Sequence, residues 1–177
     1  MVVYIFKINI EYMDQKQELI KLLKESGSIK FGNFILLSGE KSDYFVDIGH
    51  ACCSPKILEL IIELTKPFVG NRKIVSSYNN SIPIASCISK ELKRPMMIID
   101  CSERTPRIIG EYKSEEKVSM IIGVVAHEKV YEKELKTLKS VGLICENIVT
   151  VIDRRKEKIK NINGVKIESI LTDEDII

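Results

Sequence analysis

The segment 118–126 restricts the fold more than any other part of the chain. It is a nearly unbroken apolar run that includes Met-Ile-Ile-Gly-Val-Val. A strand with one wet face alternates apolar and polar residues, whereas a strand apolar on both faces belongs in a parallel sheet covered on both sides. The flanking pattern is regular. Residues 73–77, 96–100, 144–153 and 165–170 read as strands, and 82–93 and 128–141 as helices, the second closed by Gly142. Strands alternating with helices predict an α/β fold with a central parallel sheet flanked by helices.

The first 70 residues follow a different pattern. Residues 2–12 alternate like a strand, Asp14 can cap a helix over 15–25, and that helix puts Leu19, Leu22 and Leu23 on one face before Gly27. Residues 29–37 and 43–48 read as two strands joined by Ser38-Gly39-Glu40-Lys41. Ser54-Pro55 opens a helix running to about Phe68, because proline is preorganised for the first helical position. The strands before residue 50 lie outside the alternation and predict a small N-terminal hood. A chain of 177 residues matches one domain at roughly 100–200 residues per domain. The expected division is a hood over about 1–50 and a core over about 54–177.

Composition excludes several classes. Hydrophobic residues at 45% and charged residues at 29% describe a chain able to bury a core. With 27 basic against 25 acidic residues, the net charge of +2 is too balanced for a nucleic-acid binder. The five cysteines have no C-x-x-C spacing, which predicts reduced thiols in a cytoplasmic protein. Two histidines, His50 and His127, cannot build a His-rich metal centre, so no metal site and no resident cofactor are expected. No secretory signal and no membrane-spanning run are expected either.

In an open parallel sheet, ligands bind at the carboxyl ends of the strands. Ser77-Tyr78-Asn79-Asn80-Ser81 precedes a helix, where free N–H groups suit an anion; a plain capping turn is the alternative. Asp100 to Arg107 forms a polar loop whose Arg104 and Arg107 either contact substrate or are simply solvated. Gly123 to Glu128 lacks the glycines and hydroxyls of a phosphate loop. Asp153-Arg154-Arg155 ends a strand with a guanidinium able to grip a planar anion, or with a surface ion pair.

Taken together, these segments resemble orotate phosphoribosyltransferases. Ser28-Ile29-Lys30-Phe31-Gly32-Asn33-Phe34, Ser38-Gly39 and Ser42-Asp43-Tyr44-Phe45-Val46-Asp47 are similar to that family's hood. Ile82-Pro83-Ile84-Ala85 resembles its pyrophosphate-loop helix, Val149 to Arg154 its late strand, and Ile167 to Thr172 its tail. The resemblance implies a type I phosphoribosyltransferase fold, a homodimer, and the joining of orotate to phosphoribosyl pyrophosphate in pyrimidine biosynthesis. It places base recognition on Lys30, Tyr44, Phe45 and Arg154, and a phosphate-loop remnant on Ser77, Asn79, Asn80 and Ser81.

The same resemblance exposes departures. The family holds ribose hydroxyls with two adjacent carboxylates, and those positions fall on Ile122 and Gly123. Its phosphate cradle falls on Ala126, His127 and Glu128, and Glu128 sets negative charge where a phosphate would rest. Its lysine-rich catalytic loop is replaced by a short segment in which Arg104 and Arg107 are the candidate catalytic groups. The expectation is a degenerate homologue that binds a small planar anion, such as orotate or a pyrimidine nucleotide, and serves as a ligand-binding or regulatory protein. The alternative is an active transferase using Mg²⁺. Lys30 and Arg154 would repel each other in one cleft unless a ligand, or internally Asp47 or Asp153, neutralises them.

Overall fold

The computed structural model describes residues 2–36, 39–102, 104–127, 131–155 and 161–177, with the side chains of 2–9 left out. The chain runs α1 (Val2–Glu25), β1 (Ile29–Ile35), β2 (Lys41–Val46), α2 (Ile48–Cys52), α3 (Pro55–Val69), β3 (Lys73–Ser77), α4 (Ile82–Leu92), β4 (Met96–Asp100) and β5 (Arg107–Ile109). It continues through β6 (Lys117–Val125), α5 (Glu132–Ser140), β7 (Ile144–Asp153), β8 (Asn161–Ile162), β9 (Val165–Thr172) and α6 (Asp173–Ile176). The main sheet has seven strands in the order β5-β4-β3-β6-β7-β9-β8. The inner five are parallel, and the short edge strands β5 and β8 pair antiparallel.

Burial follows from strand periodicity. Along β6, Ile121 faces one apolar cluster with Ile61, Leu64 and Ile84, while Met120 and Ile122 face another with Leu135 and Leu138. Both faces of the strand are therefore dry, as its unbroken apolar run predicts. β1 and β2 form a separate antiparallel ribbon, the predicted hood. Its inner residues Ile29, Tyr44 and Val46 join the first cluster. Helix α5 ends at the expected glycine: Gly142 has φ +79, and Leu143 N–H bonds to Leu138 O at 3.0 Å.

The expected strand over 2–12 is instead the first half of α1. Its apolar residues, read as a strand alternation, fit a helix equally well. Continuing the helix satisfies its backbone, which outweighs weak β-propensity. The second half carries the packing: Leu19 and Leu23 are fully buried and Ile20 nearly so, in the same cluster as α3. Asp14 lies inside α1 rather than capping it. Two short strands, β5 and β8, also escape the sequence pattern, because three and two residues carry no readable periodicity. No helix among the described residues is long and apolar enough to cross a membrane.

Leu23→Ala removes a fully buried side chain from the α1–α3 contact. The variant is expected to lose about 2–5 kcal/mol of stability, read as a lower urea midpoint at unchanged slope.

Candidate functional site

The chain passes from β3 to β4 on one side of the sheet and returns to β6 on the other, so the strand order reverses between β3 and β6. Such a reversal opens a crevice at the strands' carboxyl ends. The segment after β3 and the last residues of β6 form its walls.

The β3–α4 turn spends its donors internally. Tyr78 N–H bonds to Ile99 O, Asn79 N–H to Ser77 O, and Ile82 N–H to Asn79 O. Asn79 Oδ1 accepts from Ser81 N–H at 2.8 Å. Ser81 is buried, and its Oγ accepts from Gly123 N–H at 2.9 Å, tying the turn to β6. Asn80 packs its amide against Gly49, so closely that a Cβ there would stand 2.9 Å from Asn80 Nδ2. An anion cradle needs N–H groups aimed outward. Those of Tyr78, Asn79, Ser81 and Ile82 are already partnered, so the turn has the geometry of a self-bonded cap.

The end of β6 is filled with hydrocarbon. Ile122 is fully buried among Val75, Met120 and Tyr131. A Cβ on Gly123 would stand 2.6 Å from Ile48 Cγ2, so Ile48 occupies the space of any side chain at 123. Ala126 and His127 follow the strand, half-buried, and Glu128 lies outside the described residues.

One carboxylate that sequence reading missed reaches this end of the sheet. Ser77 Oγ donates to Glu134 Oε1 at 3.3 Å, whereas Glu134 Oε2 is buried with no hydrogen-bond partner among the described residues. Burial pushes the Glu134 carboxyl above its ordinary range. Its position in the first turn of α5 reads in sequence only as a favourable helix start.

The β4–β5 loop is short, and its acid is saturated. Asp100 accepts from Ser102 N–H and Oγ at 3.0 and 2.5 Å, and from Arg107 Nε and Nη2 at 3.1 and 2.9 Å. The Ser102 bonds, then Arg107, hold the Asp100 carboxyl below its usual range. Arg107 sits directly across from Asp100 in the β4–β5 pairing, clamped to it. Arg104 is exposed in the loop. The two candidate catalytic arginines thus differ: one is committed to an internal pair and the other stands in solvent.

The hood holds the two candidate base-binding cations separately. Phe31 pairs across from Tyr44, and Lys30 from Phe45. Residues directly opposite share a face, so Lys30 and Tyr44 leave opposite faces of the ribbon. Lys30 Nζ bonds Asp47 Oδ2 at 3.0 Å, and Asp47 Oδ1 caps α2 by accepting from His50 N–H. The His50 bond and then Lys30 lower the Asp47 carboxyl. Arg154 lies on the other face, its guanidinium carbon 3.6 Å from the Tyr44 ring centroid. Arg154 Nε donates to Tyr44 Oη at 2.8 Å and Nη2 to Ser42 Oγ at 2.9 Å. Tyr44 in turn donates to Asp173, whose Oδ1 is 3.6 Å from Arg154 Nε. Internal neutralisation therefore comes from Asp47 for Lys30 and from Asp173 for Arg154. Asp153 instead binds Arg155 through both its oxygens. Phe45 is partly exposed on the Lys30 face.

No protein-family model matches the chain. It is 33% identical over 164 residues to an orotate phosphoribosyltransferase of Methanocaldococcus jannaschii, covering 89% of this chain and 93% of that one. The chain belongs to the orotate phosphoribosyltransferase family. An orotate phosphoribosyltransferase of Pyrococcus abyssi is 32% identical over 174 residues, covering 91% and 94% of the two chains. Among solved structures, Leishmania donovani UMP synthase matches with a TM-score of 0.80 at 28% identity, over 90% of this chain and 37% of that longer one. Orotate phosphoribosyltransferase from Aeropyrum pernix matches at a TM-score of 0.78 and 19% identity over 89% and 95%, a likeness of fold. The sheet is that of the type I phosphoribosyltransferases.

Gly123→Ala forces a methyl group onto Ile48 and is expected to cost about 1–3 kcal/mol, measured by urea denaturation. Gly123→Asp, a larger side chain in the same space, is expected to cost more.

Tyr44 gives a pH signature. Burial, then the hydrogen bond to Asp173, raise its phenol from 10.0 to about 12. The fold thus favours the neutral phenol, and this contribution is complete below pH 10 and lost as pH rises through 10 to 12. The stability difference between wild type and Tyr44→Phe is expected to shrink across that window; a constant difference contradicts the assignment.

Proposed function

We propose that this member of the family is a pyrimidine-related ligand-binding or regulatory homologue with impaired phosphoribosyl transfer. The hood and the end of β7 supply its planar-anion site. The observation that carries this reading is the packing at Gly123. Ile48 fills the side-chain space, and Ser81 takes the backbone N–H, where the family resemblance places a carboxylate. Transfer passes through a strongly cationic ribosyl carbon and an anionic leaving group, and both need prearranged opposite charge.

Among the described residues Asp100 is spent on Arg107, Asp153 on Arg155 and Asp47 on Lys30. Among the described residues no group of three or more metal-ligating side chains occurs, and Glu134 stands alone. These residues do not fit a Mg²⁺ site of the protein's own. Base recognition is chemically better provided. Arg154 presents a planar fork beside an aromatic ring, suited to a flat carboxylate, whereas Lys30 leaves the opposite face of the hood ribbon.

A second reading, that of an active orotate phosphoribosyltransferase, is favoured by the names of the relatives matched over nine-tenths of the chain. Orotidine monophosphate formation separates the two. Protein free of host enzyme, given orotate, phosphoribosyl pyrophosphate and Mg²⁺, is expected to fall far below ~10 s⁻¹. Turnover near that rate establishes the second reading. Calorimetry is expected to show weak orotate binding that fades as salt rises and is lost in Arg154→Gln but kept in Lys30→Ala, with uracil inert.

The family resemblance also supports a homodimer. Sedimentation at low micromolar concentration is expected to give about twice the 20.2 kDa chain mass; a single 20.2 kDa species refutes it.

A further inference from the structure

The enclosure of Arg154 joins three distant parts of the chain. Tyr44 and Ser42 come from β2, Arg154 directly follows β7, and Asp173 opens α6. The guanidinium stacks on Tyr44, donates to Tyr44 Oη and Ser42 Oγ, and faces the Asp173 carboxylate. Tyr44 Oη accepts from Arg154 while donating to Asp173, so the phenol couples the pair. These contacts fasten the hood ribbon to the sheet.

We propose that Asp173 is an internal competitor for Arg154: its carboxylate latches the hood shut, and a planar carboxylate ligand of the orotate kind binds only by displacing it. The inference rests on the anion-site reading above and adds the group that controls access to it.

Among the described residues Arg154 is the one cation that pairs with Asp173, whose Oδ1 stands 3.6 Å from its Nε, and a second carboxylate brought to that guanidinium would be repelled by Asp173 beside it. The members of the pair differ in freedom. The Arg154 side chain is 6% exposed and that of Asp173 31%, so Asp173 is the one able to swing into water. Its helix need not unfold for this. Ile176 anchors α6 in the core, and Thr172 and Asp175 cap each other independently of Asp173. Asp153 cannot take its place, because both its oxygens hold Arg155. Apparent ligand affinity is the intrinsic affinity reduced by the fraction of molecules with the latch open. Loss of Asp173 therefore strengthens binding, the reverse of what removing a ligand-binding residue does.

Orotate titration calorimetry on the full chain tests this with wild type, Asp173→Asn, Glu174→Gln and the double variant Asp173→Asn/Arg154→Gln. Glu174→Gln removes the same charge from the same turn. Asp173→Asn is expected to bind orotate about tenfold tighter than wild type, Glu174→Gln to stay within about twofold, and the double variant to lose the gain. Binding by wild type that Asp173→Asn leaves unchanged, or that Glu174→Gln strengthens equally, overturns the latch and leaves the anion site standing. No orotate binding by any form at millimolar ligand overturns both. Hydrogen exchange without ligand gives a second readout. Amides of Lys41–Val46 are expected to exchange faster in Asp173→Asn than in wild type, and equal rates overturn the latch whatever the calorimetry shows.

Discussion

The structure depends on β6 being dry on both faces. Its side chains alternate between two apolar clusters, one under α3 and α4 and one under α5, and its neighbours β3 and β7 pair with it in parallel. Each cluster must therefore be covered by helices, which sets the layer order and leaves only the strand ends open for chemistry. The same dryness reaches the end of the strand. Ile122 continues the apolar sequence up to the crevice, and Ile48 closes over Gly123.

Charge at the crevice obeys a second constraint. A cation taken out of water needs an anion beside it, as buried Arg154 and Arg155 have, and among the described residues the more exposed Arg107 and Lys30 are paired as well. Arg155 is paired with Asp153 inside the protein, Arg107 with Asp100, Lys30 with Asp47 and Arg154 with Asp173. These pairs are not equivalent. Asp153–Arg155 is enclosed on both sides, a structural pair whose partners cannot separate cheaply. Asp173 and Asp47 keep substantial exposure, so their cations can exchange partners. The hood is thus attached to the core partly by contacts that an anion can replace.

Family membership and the proposed loss of transfer rest on different parts of the chain. The likeness to orotate phosphoribosyltransferases extends over nine-tenths of the chain, because the hood, the sheet and the tail are shared. The segments on which the proposed loss of transfer rests are the β3–α4 turn, the end of β6 and the β4–β5 loop. Each is closed by a few short-range bonds: Ser81 to Gly123, Ile48 over Gly123, Asp100 to Arg107.

What was legible in the sequence was everything governed by local period and turn chemistry. The parallel sheet followed from the apolar run at β6, α3 from Ser54-Pro55, the end of α5 from Gly142, and the hood from two strands outside the alternation. The absence of carboxylates at 122 and 123 was equally plain, because residue identity needs no structure. Residues 2–12 were misread, since closely spaced Val, Tyr, Ile and Phe fit a helix as well as a strand and only the folded chain decides between them. The electrostatic partners were beyond reach for the same reason. Asp173 lies 129 positions from Tyr44, and nothing local marks it as the acid that meets Arg154. Nor does spacing reveal that Ile48 fills the place beside Gly123. Sequence period determines which face of an element is apolar. Only the packing of distant elements decides which charge meets which and which space is left open.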